Sequence, residues 1–232
     1  MAKNKKLLRI LALFVALAGI FLIIWVLFPI AAYELAAPKL ESFLSPVPKG
    51  SEGIDYTRAS NWFAGGVSKK EFLPESGIKY YTISIPILKI ENATVAIGGE
   101  DLGESLIQYP GTALPGKRGN AVIFGHSILP QFYDPENYLA IFSKLPTLKK
   151  DNEIKINYDG VSYRYLVEDV FEVLPTDIQV LEQDSSDVFL TLVTCTPPGH
   201  PLKPKRLIVR ARIVPLDVNS VLYSSEKVVS KE

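Results

Sequence analysis

The chain has one cysteine and two histidines in 232 residues. A single cysteine excludes an intramolecular disulfide, so the thiol of Cys195 is free. His200 stands at Cys-x4-His spacing from it, but too few cysteines and histidines exist to complete a zinc ligand set. Neither sign of charge prevails: 25 basic and 25 acidic side chains cancel to a formal charge of zero. No overall field therefore draws the chain to nucleic acid. There is no internal repeat and no low-complexity tract. With 47% hydrophobic and 22% charged residues, disorder throughout is excluded, and a core of ordinary domain size can be buried.

Long apolar runs are scarce as well, with one exception. Ile10 to Ala32 is uninterrupted by charge, and at about 1.5 Å per residue it is long enough to cross a hydrocarbon core of roughly 30 Å. Lys3, Lys5, Lys6 and Arg9 precede it, so the positive-inside rule holds the short N-terminus in the cytoplasm and sends the rest outside. Leu35-Ala36-Ala37 would suit a cleaved signal peptide, but the run exceeds a signal core of roughly 7 to 15 residues. A membrane anchor is the expectation. Outside the membrane, an odd cysteine is a buried inert residue, a cross-link or a reactive nucleophile.

Punctuation divides the rest. Residues 1–9 read as the cytoplasmic end, 10–32 as the anchor, 33–79 as a stalk with prolines and no sustained period, 80–215 as a catalytic domain, and 216–232 as a polar tail. Within the domain, short β-branched and aromatic runs predict strands over Tyr81–Ile87, Ala93–Ile97, Asn120–Gly125, Glu153–Tyr158, Val161–Val173, Val188–Cys195 and Arg206–Val214. Asp159-Gly160 is a two-residue hairpin signal. Helical candidates are brief, at Leu102–Ile107, Tyr138–Lys144 and near Asn61-Trp62-Phe63. The predicted fold is all-β: a closed barrel of seven or eight strands with short helices, behind an N-terminal transmembrane helix.

Three of these strands end in chemistry. Val188 to Cys195 stops at the thiol, followed at once by Pro197 and Pro198; Asn120 to Gly125 runs into His126; and Arg206 opens the strand after the proline-rich connection. A nucleophile, a general acid/base and a cation for an oxyanion are the groups that acyl transfer through a thioester needs.

The string Thr191-Leu192-Val193-Thr194-Cys195 resembles the TLxTC signature of sortases, the bacterial cysteine transpeptidases. Tyr109 to Gly116 (YPGTALPG), Gly125-His126 and Lys205-Arg206 lie around it in the family's order. The resemblance spans roughly 80–214. It implies that Cys195 attacks the carbonyl between Thr and Gly of an LPxTG-like sorting signal, that His126 is acid and base, and that Arg206 binds the substrate backbone and the oxyanion. An amine, from a peptidoglycan precursor or a pilin lysine, then resolves the acyl-enzyme. No cofactor is expected and no metal ligand is assigned; Glu182, Asp184 and Asp187 lack a recognisable calcium-ligand spacing, which leaves metal dependence unpredicted.

Substrate contacts are placed at Thr194, Ile178, Val180 and Leu181. The last three either line the pocket for the signal's leucine and proline or pin a short helix to the barrel. His200 is the competitor of His126, but lies in the proline-rich connection. Arg210 and Arg212 share a strand face with Arg206 and default to structural or solvated roles. In the stalk, Leu73-Pro-Glu-Ser-Gly77 is close to a sorting signal and either occupies the groove as a pseudosubstrate or matches by chance. The polar tail and the lack of an Asp-Pro-aromatic triplet in the stalk argue against a pilin polymerase. The chain looks nearer to the anchoring or class D and E groups. The remaining classes are another peptidoglycan-acting cysteine acyltransferase, whose Ser-x-Gly string is absent here, and a catalytically dead tethered barrel that binds partners.

Overall fold

Tyr81, Ile83 and Ile85 alternate with more exposed neighbours along β1 (Tyr80–Ile85), the period of two expected of a strand with one face in a core. The computed structural model describes residues 2–36, 55–63 and 77–215; Leu73 to Ser76 and the tail from 216 lie outside these. Eight strands follow in chain order: β1, β2 (Ile90–Ile97), β3 (Leu106–Gln108), β4 (Gly119–Phe124), β5 (Glu153–Tyr158), β6 (Val161–Val173), β7 (Val188–Thr196) and β8 (Lys205–Ile213). They close into a barrel in the order β1-β2-β3-β4-β7-β8-β6-β5. Closure leaves no unpaired sheet edge. Asp159 and Gly160 both take positive φ, 53° and 73°, as the tight turn between β5 and β6 requires.

Two of the predicted helices do not form. Leu106 to Gln108 is β3, parallel to β2 and antiparallel to β4. Its residues are buried all round, and a short apolar run of that kind carries no period that separates strand from helix. Residues 138–144 are successive turns, followed by a 3₁₀ turn over Leu145–Thr147. The third candidate is a 3₁₀ turn, Ala59–Asn61, inside a segment that packs on the barrel.

Helix α1 spans Ala2–Ala36, and its Leu11–Phe28 stretch is long and apolar enough to cross a membrane. Its large side chains there are exposed rather than buried against the protein. Such a surface in water would be an aggregation site; lipid is the solvent it suits.

Two apolar clusters define the faces of the barrel wall. Ile123, Leu192, Leu207 and Val209 belong to the interior cluster, with residues from around the whole barrel. Val122, Phe124, Val193, Cys195 and Ile208 point the other way, into a second cluster on the outer face. Trp62, Phe63 and Ala59 of the 55–63 segment, Leu102, Ile107, Tyr109 and Val180 complete that outer cluster.

Candidate active site

β7 and β8 are antiparallel, and Cys195 is the register partner of Arg206. Directly paired residues project on the same face, so the thiol and guanidinium share the outer side of the sheet. β4 runs parallel to β7 with Phe124 opposite Val193, and the Gly125 N–H donates to the Val193 carbonyl. His126 lies two residues beyond Phe124, past the end of β4, as Cys195 lies two residues beyond Val193 on β7. The Ser127 hydroxyl donates to the Cys195 carbonyl at 2.7 Å, and the Thr194 hydroxyl donates to the Gly125 carbonyl at 2.8 Å. Both tie the β4 end to the β7 end.

Gly125 is needed for that approach: a Cβ there would lie 2.5 Å from side-chain atoms of Leu106 and of Phe142. The Phe142 N–H also donates to the His126 carbonyl, fixing the backbone on its far side.

All three groups are buried: Cys195, His126 and Arg206 are 2%, 5% and 1% exposed. What covers them is the 55–63 segment. Trp62, with no exposed surface, stacks on Phe124 at 5.3 Å and 11° and lies 5.8 Å from the His126 ring. Its carbonyl accepts from Arg206 Nε at 3.0 Å, while Arg206 Nη1 donates to the carbonyls of Lys203 and Lys205. The guanidinium also lies over the rings of Tyr56 and Trp62, at 5.3 and 5.6 Å. The segment is clipped down through Glu100: its carbonyl accepts from Ala59 N–H, and its carboxylate takes the Ser60 hydroxyl at 3.0 Å.

Burial sets the charge states. It lowers the pKa of His126 to about 4, helped by the positive charge of Lys203 and opposed by Asp101 and Asp55. It pushes the Cys195 thiol up, against the smaller downward pull of Arg206 and Lys203. Burial thus favours the neutral thiol and the neutral imidazole, and His126 Nε2 has no hydrogen-bond partner.

The other expected site residues fall into distinct places. Val180 is buried in the outer cluster and Leu181 packs against it, whereas Ile178 is 48% exposed at the start of the 3₁₀ turn Ile178–Leu181. Thr194 has no exposed surface and faces the barrel interior; its hydroxyl touches Gly125 rather than the groove. Its parity explains this, since Cys195 next to it points outward. His200 sits in the β7–β8 loop, where its Nδ1 accepts the Leu202 N–H. Arg212 is paired with Glu168 and Asp187; Arg210 is half-buried with its Nε unpartnered. Among the described residues no group of three or more His, Cys, Asp or Glu is arranged to hold a metal ion.

The sequence reading missed Trp62. Its only signal is an adjacent aromatic pair, Trp62-Phe63, in an otherwise polar stretch, which is unusual for a solvated spacer.

A family model, the Sortase domain, matches residues 78–214. Sortase A of Staphylococcus aureus (strain NCTC 8325 / PS 47) is 28% identical over 196 residues, covering 77% of this chain and 84% of that one. Among solved structures, sortase A from Corynebacterium diphtheriae is 33% identical with a TM-score of 0.52, over 61% of this chain and 63% of that one. The Sortase D5 transpeptidase of Clostridium perfringens is 26% identical with a TM-score of 0.50, over 60% and 80% of the two chains.

Proposed function

Because this chain belongs to the sortase family of cysteine transpeptidases, we propose that it is a membrane-anchored enzyme that cleaves an LPxTG-like sorting signal between Thr and Gly and passes the acyl group to an amine. The observation that carries this reading is the pairing of Cys195 with Arg206 on adjoining strands, with His126 and Arg206 both against the Trp62 ring on the outer face. The anchor is α1, with residues 1–9 in the cytoplasm, and the catalytic unit is the barrel of residues 80–215 on the other side.

Cys195 Sγ attacks the scissile carbonyl, and its proton passes to the unpartnered His126 Nε2 as the C–S bond forms. Arg206 stabilises the oxyanion of the tetrahedral intermediate. His126 then gives that proton to the departing amine as the C–N bond breaks, leaving a thioester. An incoming amine attacks the thioester, His126 takes its proton, and the thiol is regenerated. The amine is that of a peptidoglycan precursor or a pilin lysine.

Substrate entry requires the 55–63 segment to leave. Arg206 Nε is engaged by the Trp62 carbonyl, and the indole lies on the outer face beside His126. Its departure frees a donor for a substrate carbonyl and opens an apolar trough of Val122, Phe124, Val193 and Ile208, bounded by Val180 and Leu181. That trough suits the leucine and proline of a signal peptide, with Ile178 at its rim. Thr194 acts by holding the β4 and β7 ends together.

The test uses the full chain in detergent micelles with a panel of LPxTG-like peptides and triglycine. Mass spectrometry is expected to find a Thr–Gly cut and a triglycine-capped product, both absent from Cys195→Ala. Intact peptides throughout the panel would contradict the reading.

A further inference from the structure

We infer that Glu172 is a positioning residue for the site: from inside the barrel, its carboxylate holds the strand ends that carry Cys195 and Arg206. The inference rests on the roles proposed for those two residues. Thr196 and Lys205 form the last register pair of β7 and β8, one step beyond the Cys195–Arg206 pair and therefore on the opposite face. Glu172 lies on that inner face of β6, opposite Leu207 of β8. Its Oε1 accepts the Thr196 hydroxyl at 3.0 Å, and its Oε2 accepts from Lys205 Nζ, also at 3.0 Å.

One carboxylate thus bonds a residue from each strand end, and it does so where it is 7% exposed. A charge-assisted bond in so sheltered a place is stronger than a surface ion pair. The clamp is needed there because Pro197 has no N–H to extend the ladder. Without it, the stems of the 197–204 loop would be free to splay, and the thiol and guanidinium on their outer face would separate. Arg206 further depends on this loop, since its Nη1 donates to the Lys203 carbonyl. Misplacement of a reacting pair by about 1 Å can cost as much as roughly 100-fold in rate.

Three variants of the full chain in detergent micelles test this: Thr196→Val, which removes the hydroxyl without changing charge or much volume, Thr196→Ser, which keeps the hydroxyl, and Glu172→Gln, which drops the ion pair. Two readouts are taken well below each variant's thermal midpoint. The first needs no substrate: the pH dependence of Cys195 alkylation by iodoacetamide. Thr196→Val is expected to move its midpoint upward, giving about a threefold slower rate near neutral pH as the guanidinium loses its hold on the thiolate. Thr196→Ser is expected to restore the native profile. The second is cleavage of a Leu-Pro-Glu-Thr-Gly peptide, for which Thr196→Val and Glu172→Gln are expected to lower kcat about tenfold with KM little changed. Native alkylation in Thr196→Val, together with native kcat in both variants, would overturn the inference, whatever happens to thermal stability. If the unaltered protein fails to cleave this peptide, kcat is read with a peptide of the panel that it does cleave; if it cleaves none, the transpeptidase reading falls, and the alkylation profile decides the inference alone. If Thr196→Val does not fold, kcat of Glu172→Gln decides it.

Discussion

Arg206 gives its Nε hydrogen to the backbone carbonyl of Trp62, 3.0 Å away. A residue more than a hundred positions upstream thus occupies a donor that the proposed mechanism assigns to a substrate carbonyl, while its indole stacks on Phe124 beside His126. On the proposed reading the cover and the substrate compete for the Arg206 Nε donor, so the 55–63 segment has to leave before a substrate binds.

Removing the indole should open it. Trp62→Ala is expected to raise the rate of Cys195 alkylation by iodoacetamide at least tenfold near neutral pH, because the thiol is 2% exposed with the cover in place. Timed labelling read by intact mass measures this. An unchanged rate would mean that other elements bury the thiol.

The depressed pKa of His126 gives a stability signature with a definite sign. Its folded value of about 4 lies below its ordinary 6.5, so between these values the unfolded chain binds more protons. Stability is therefore full above about pH 6.5 and falls as pH drops toward 4, by a total of about 3 kcal/mol. Denaturant unfolding of the native protein and of His126→Gln across that range checks it. The variant is expected to lack this component of the slope.

Gly125→Ala places a Cβ 2.5 Å from Leu106 and Phe142 side-chain atoms. Relief requires the strand end carrying His126 to move. The expected results are a loss of about 1–3 kcal/mol in stability and roughly a tenfold fall in kcat/KM, larger than the stability change alone would produce. Equilibrium unfolding and peptide kinetics on the same preparation separate the two effects.

The anchor can be tested apart from the chemistry. Each charge placed near the centre of a membrane helix costs about 2.5–3.5 kcal/mol of insertion free energy. Leu17→Lys combined with Phe21→Lys is therefore expected to shift the chain from carbonate-washed membranes into the supernatant. Retention of the double variant in membranes would argue against α1 as the span.

The strand ends at Cys195 and His126 were legible because β4 and β7 are β-branched, buried runs that stop abruptly at a titratable side chain. The short connection stiffened by prolines put Arg206 opposite Cys195 only on the condition that the two strands are neighbours, which their register shows. β3 was not legible, since three residues buried on every side show no period. Trp62 was hidden because its segment takes its conformation from the barrel it lies on, through Glu100, and not from a local pattern. Glu172 was hidden by a bulge. Tyr165 and Val167 face the interior, so a strict period of two would send Glu172 outward; the register shift between Val167 and Asp169 reverses the parity and turns Val170 and Glu172 inward.

The most direct test of the account is the covalent intermediate itself. The full chain, incubated with an LPxTG-like peptide and no amine, is examined by intact mass, with Cys195→Ala alongside. The account predicts an adduct equal to the peptide's acyl portion up to its threonine, mapped to Cys195 and discharged by triglycine. Peptide cleavage that persists in Cys195→Ala, or an adduct on any other residue, would contradict it.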